Sequence, residues 1–222
     1  MARPLSITLE IEANELRRRI ALGDTAPVDT RKALQQLGVL CVFMPMQETF
    51  SGMCLKHKEK RFMLVNSKVA LGRQHFTIAH ELYHLYLDEN PHPHVCIRDG
   101  KKDRTEVLAD AFASALLLPR EGVLKAIPND EIRSRNVSLA TVFSLEQYFR
   151  VSHQSVVFRL KRLSLITEEM LQYLLSIKIR EVAPQYGIFD MSLYEKGNEN
   201  VILSDYGFKA KLLFDKEKIS DF

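Results

Sequence analysis

Cysteine is scarce: the chain has three, Cys41, Cys54 and Cys96, an odd number with no paired spacing. That argues against a disulfide framework and for a reducing compartment. Long apolar runs are also missing. The longest, such as Val39 to Met44 and Ala115 to Leu118, fall far below the ~20 residues that span a bilayer. The first ten residues show no apolar stretch followed by a small-residue cleavage site, and Glu10 and Glu12 follow at once. The expectation is a cytoplasmic protein without membrane contact. There is no internal repeat and no low-complexity tract. Neither sign of charge dominates: the formal net charge is +3, too small to argue alone for nucleic-acid or acidic partners. What remains is 222 residues, 46% hydrophobic and 27% charged, the composition of an ordinary globular protein.

The apolar pattern Ile11, Leu16, Ile20 predicts an amphipathic helix from about Glu10 to Ala21, ended by Gly23 and Pro27. A short helix capped by Asp29 or Thr30 follows, with Gly38 as its stop. Val39 to Met44, Phe50 to Leu55 and Arg61 to Val65 read as strands, the last two joined through the charged turn Lys56 to Lys60. A helix runs from near Leu71 to about Leu87. After it comes a polar loop with two prolines, and then a helix that Thr105 can cap and Pro119 ends. Helical patterning continues from Gly122 to about Lys178, with interruptions at Pro128-Asn129, Asn136 and Val151-Ser152. Beyond Pro184 the pattern is mixed, with short apolar pieces such as Val201-Ile202-Leu203 between glycines.

Inside the third predicted helix stands His80-Glu81-Leu82-Tyr83-His84, an HExxH motif in the context it needs. Four residues make just over one turn. The two imidazoles therefore leave one face, about 5 to 6 Å apart at their bases, and both can reach one ion. Glu81, three positions before His84, stands beside that ion as a general base. A zinc ion there lowers the pKa of a bound water towards ~7 and polarises a scissile carbonyl. The competing reading makes both histidines polar residues satisfied on a half-buried helix.

A catalytic zinc needs a third protein ligand and an open fourth position. Metzincins would carry Gly at 87 and His at 90, but Leu87 and Asn90 stand there. Glu106 is a candidate, with Asp110 one turn later able to hydrogen-bond a ligating histidine. Its bland alternative is a carboxylate favoured by the helix dipole in a first turn. On spacing alone His92, His94 and Cys96 compete with it.

Arg73 to His84, Glu106-Val107-Leu108-Ala109-Asp110-Ala111-Phe112-Ala113 and Leu116-Leu117-Leu118-Pro119 resemble the ImmA/IrrE family of metallo-endopeptidases. The stretches Ser192 to Asn200 and Ser204-Asp205-Tyr206-Gly207 are similar to the C-terminal part of some members. The resemblance implies His80, His84 and Glu106 as ligands of one zinc and Glu81 as base, a gluzincin-like set; two imidazoles and a carboxylate also accept manganese or iron. It implies a substrate as well: a helix-turn-helix repressor of the phage type, whose cleavage derepresses genes. Two departures are visible. Tyr83 replaces the glycine usual inside the motif, adding bulk near the metal, and Asp110 stands where asparagine is more frequent.

The expected architecture is α+β: a zincin-like peptidase unit over residues 1–120 with a small sheet packed on the HExxH helix, a helical region over 121–180, and a small extension over 181–222. Within the helical region Leu139 to Leu163 can form a helix-turn-helix, a unit the family also carries behind its peptidase part. Arg159, Lys161 and Arg162 are then the candidates for DNA contact, against the commoner reading of a packing unit with a solvated face. His92 and His94 offer a transition-state donor or a substitute ligand, or are exposed loop residues. Cys96 is a redox gate or an ordinary cysteine. Two other classes of function stay in play: a metal-containing anti-repressor that binds without cutting, and a direct DNA-binding regulator.

Overall fold

The computed structural model describes residues 5–88, 94–97 and 103–203. Three helical and strand elements open the chain: α1 (Leu5–Arg19), α2 (Thr30–Gln36) and β1 (Val39–Met44). Asp29 caps α2, accepting from Lys32 N, and Gly38 turns the chain into β1 at a φ of +65°, a conformation that glycine takes without strain. β2 (Phe50–His57) and β3 (Lys60–Asn66) form the hairpin expected around the charged turn. Then come α3 (Leu71–Tyr86), β4 (His94–Ile97) and α4 (Arg104–Leu117), followed by α5 (Arg120–Ala126), α6 (Asn129–Ser134), α7 (Leu139–Phe149), α8 (His153–Arg162) and α9 (Glu168–Ser176). A short α10 (Ile179–Val182), a 3-10 turn (Ala183–Tyr186) and β5 (Val201–Leu203) complete the described chain.

The fold is mixed α+β around one five-stranded sheet of order β4-β2-β3-β1-β5. Among the described residues only β1 and β3 pair in parallel; β2 with β3, β2 with β4 and β1 with β5 are antiparallel. Two strands depart from the sequence reading. The stretch expected as plain loop supplies β4, and Val201-Ile202-Leu203, expected in a separate extension, pairs with Cys41 to Phe43 of β1. The last described residues thus belong to the sheet.

α3 lies against the inner face of that sheet. Gly52 makes the approach: a Cβ there would sit 2.6 Å from Thr77 Cγ2 and 3.0 Å from the Leu64 carbonyl oxygen. Val39, Cys41 and Phe43 of β1, Cys54 of β2 and Met63 and Val65 of β3 turn inward and are buried with Ile78, Ala79, Leu82 and Leu85 of α3. The same hydrophobic cluster continues through α1, α4 and α7 to α9. The buried cluster runs through residues on both sides of position 120, and the segment before α8 packs on α3 at Gly72.

Buried arginines stitch the layers. Arg17 of α1 donates to the carbonyls of Gly23 and Leu116 at 2.6 to 2.9 Å, and to that of Ala26. Burial lowers its pKa to about 10, against the opposing pull of Asp24.

Candidate metal centre

The helical spacing of the motif does what it predicts. His80, Glu81 and His84 leave the buried face of α3, with exposures of 3%, 0% and 5%. Glu106 comes from the first turn of α4. That helix is capped by Asp103, which accepts from Glu106 N at 2.9 Å, and not by Thr105; the cap fixes the backbone from which the Glu106 side chain reaches inward.

Three residues meet here with four donor atoms. His80 Nε2 lies 3.4 Å from His84 Nε2 and 3.4 Å from Glu106 Oε2, and His84 Nε2 lies 3.3 Å from Glu106 Oε1. Donors arranged tetrahedrally at 2.0–2.1 Å from zinc are separated by about 3.3 Å, so each imidazole lies about one such edge from the other and from one Glu106 oxygen, Oε2 for His80 and Oε1 for His84. The ring geometry agrees. Two imidazoles bound through Nε2 to one tetrahedral ion place their centroids about 5.2 Å apart, and His80 and His84 stand at 5.2 Å.

The other ring nitrogens are fixed by carboxylates. His80 Nδ1 donates to Asp110 at 3.0 Å, and His84 Nδ1 donates to Asp88 at 3.1 Å. Each bond fixes Nδ1 as the donor, so that an ion taking the place of the Nε2 proton would meet the Nε2 lone pair, as metal ligation needs. Asp88 escaped the sequence reading, although its place one turn after His84 was the available signal.

β4 adds a fourth group. It pairs with β2 so that Cys54 faces His94 and Gly52 faces Cys96, which turns His94 and Cys96 towards α3. His94 Nε2 lies 2.7 Å from Glu106 Oε1, and its Nδ1 lies 3.1 Å from Glu81 Oε2. One ligand atom each from His80, His84, His94 and Glu106 falls within 4.8 Å of the others. His94 nonetheless stacks on His84 at 3.7 Å with a 17° interplanar angle, too close for both rings to bind one tetrahedral ion. It stands over the triangle as a neighbour of base and ligand. Cys96 groups instead with His80 and Glu81, and His92 lies outside the described residues.

The electrostatics invite a cation. Burial works against charge on His80, yet hydrogen bonds to Asp110 and Glu106 raise its pKa to about 9. His94 follows the same logic: burial is outweighed by Glu106 and Glu81, and its pKa rises to about 10. Bonds from His80, His84 and His94 hold the Glu106 carboxyl far below the usual range. Burial, then the charges of Glu81 and Glu106, push the Cys96 thiol up to about 12. The residues present fit a divalent ion in size, donor type and charge.

Tyr83, expected to add bulk near the metal, is 7% exposed, stands edge-on to His84 at 5.5 Å and packs on Phe112 of α4 at 5.8 Å. Other expectations are corrected. Arg159 cannot contact DNA, because it is 1% exposed and grips Glu10 at 2.5 and 2.9 Å and the Leu118 carbonyl at 2.8 Å. Lys161 pairs with Glu168 at 2.8 Å, and Arg162 is exposed. α7 and α8 do form two helices with Ser152 as the second cap. The N-terminus of α8, the end that enters the major groove in DNA-binding pairs of this kind, abuts Gly72 of α3 instead.

Among the described residues no helix is long and apolar enough to cross a membrane. Comparison with curated proteins finds no match. Residues 34–161, which carry α3, β4, α4 and the paired helices, match the peptidase family model described as IrrE N-terminal-like domain. The chain belongs to this IrrE N-terminal-like family of metallopeptidases.

Proposed function

We propose that the chain is a zinc-dependent endopeptidase in which His80, His84 and Glu106 hold the ion, Glu81 is the general base, and the substrate is a helix-turn-helix repressor. The meeting of His80, His84 and Glu106 is the observation that carries the enzymatic part of the reading: the imidazole nitrogens lie 3.4 Å from each other and 3.3 to 3.4 Å from one Glu106 oxygen each, with both rings held by carboxylates. Zinc in that position acidifies a water and polarises the scissile carbonyl. Glu81 is wholly buried and its Oε1 has no well-aligned hydrogen-bond partner. Such an acceptor takes up a proton readily when one is offered by an attacking water, and can return it to the leaving amine. Asp88 and Asp110 keep the two imidazoles oriented while the charge at the centre changes.

Among the described residues β4 is the edge strand of the sheet on the side of the site. An extended polypeptide adding to that edge lies across Glu81 and Glu106, which favours a segment of protein chain over a small molecule as substrate. The repressor as substrate rests on the resemblance of the metal segments and on family membership. The test is incubation of zinc-loaded chain with the repressor encoded beside it, followed by mass measurement. Two fragments are expected, absent with chelator and absent with Glu81→Gln, which should still bind zinc. An intact repressor held in a stable complex would favour the non-cleaving anti-repressor, and a Glu81→Gln protein that cuts at the wild-type rate would remove Glu81 from its role.

A further inference from the structure

Cys54 plays no part in the reaction described above, yet it lies within its reach. It sits on β2 directly opposite His94 on β4, is 2% exposed, and faces Glu81 of α3. One ligand atom each from Cys54, Glu81 and His94 lies within 4.8 Å of the others. We propose that these three residues form a second cation site, separate from the His80–His84–Glu106 triangle, that takes zinc or another thiophilic divalent ion and withdraws Glu81 from proton transfer when filled. The site itself does not depend on the peptidase reading; its inhibitory consequence does.

Three observations support it. First, Glu81 is 0% exposed and its Oε1 lacks a well-aligned hydrogen-bond partner, with the Cys54 thiol a neighbour that bears on this carboxylate. A buried carboxylate oxygen left so is costly, and a cation satisfies it. Second, the two nitrogens of His94 serve different neighbours: Nε2 faces Glu106 at 2.7 Å, while Nδ1 faces Glu81 Oε2 at 3.1 Å, close to the ~3.3 Å edge of a tetrahedral zinc shell. Third, none of its donors belongs to the His80–His84–Glu106 set, although His94 Nε2 also reaches Glu106 Oε1. The alternative group of His80, Glu81 and Cys96 shares His80 with the triangle, so it cannot fill while the triangle is filled. Cys54, Glu81 and His94 share no donor with it.

Thiolate, imidazole and carboxylate together select zinc, cobalt or cadmium over magnesium and calcium. Burial and then the Glu81 charge hold the Cys54 thiol well above the ordinary range, so the sulfur–metal bond forms as the S–H proton leaves to solvent. That cost makes the second ion bind more weakly than the first.

The test is titration of cobalt chloride into the full, reduced, metal-free chain, following visible ligand-field absorption and the near-ultraviolet band of a thiolate–cobalt bond. The first equivalent should give ligand-field absorption alone. A second should bring the thiolate band, zinc should displace both ions, and Cys54→Ser should stop at one equivalent while Cys41→Ser and Cys96→Ser still take two. Saturation of the wild type at one equivalent overturns the proposal, as does a thiolate band that arrives with the first ion or survives in Cys54→Ser. The wild-type titration decides the matter even if a variant fails to fold. It also separates this proposal from the peptidase reading, which stands or falls on repressor cleavage.

Discussion

Asp88 and Asp110 never touch the ion in the proposed mechanism, yet they decide which nitrogen of His84 and His80 is free to do so. Replacing such a partner usually costs about 10–100-fold in metal affinity. Asp110→Ala and Asp88→Ala should therefore weaken zinc binding by about that factor in a chelator competition, with little change in folding; unchanged affinity would show that packing alone orients the rings. Arg159 carries the opposite lesson. Read from the sequence it is one of several cations on a basic helix, and nothing in the periodicity distinguishes it from Arg162. In the structure it is fully buried against Glu10 and the Leu118 carbonyl. Arg159→Ala should destabilise the fold by about 3 kcal/mol by orphaning those acceptors, read as a lower urea midpoint.

Elements were legible where a pattern was long or sharply punctuated. β1 came out with its expected bounds because an apolar run lies between Gly38 and Pro45, and α3 because sixteen residues keep one periodicity. β4 was not, for a physical reason: four residues beside two prolines have no period to measure, and their extended form is imposed by pairing with β2. This omission hid the placement of His94, a candidate the sequence offered, because the pairing of β4 with β2 aims it at Glu81. β5, three residues long, was invisible in the same way. Packing between elements also reverses a propensity argument at Gly72. Alanine in place of a helical glycine is worth up to about 1 kcal/mol. Here its Cβ would sit 2.6 Å from the Ser152 backbone nitrogen, and backbone cannot swing aside. Overpacking of this kind costs about 1–3 kcal/mol. Gly72→Ala should thus lower the melting temperature, and a rise would mean that α8 is free to move off α3.

Across the whole molecule, the metal helix is held at its N-terminus by a segment some 120 residues further along the chain. The N-cap of α3, Ala70, offers no side-chain bond; instead Leu71 N donates to the Ser192 carbonyl at 3.0 Å, and Ala70 bridges to Lys196. Tyr194 locks this segment down. Its hydroxyl donates to Glu146 Oε2 at 2.7 Å and accepts from Gln147 at 2.9 Å, and burial followed by the Glu146 charge raises its pKa well above the usual phenol range, so it stays a donor. Glu146, wholly buried, also bonds His153 Nδ1 at 2.7 Å, whose Nε2 donates to the Leu174 carbonyl at 2.8 Å. One network thereby ties α7, α8, α9 and the returning segment to the helix that carries His80, Glu81 and His84. Tyr194→Phe removes one donor from a buried carboxylate, which should cost about 1–3 kcal/mol. The loss should also be local. If the segment clamps α3, hydrogen exchange at Leu71 and its neighbours should quicken more than exchange in β1 or α4, whereas uniform acceleration would mean that the network stabilises the whole fold without a particular grip on the metal helix.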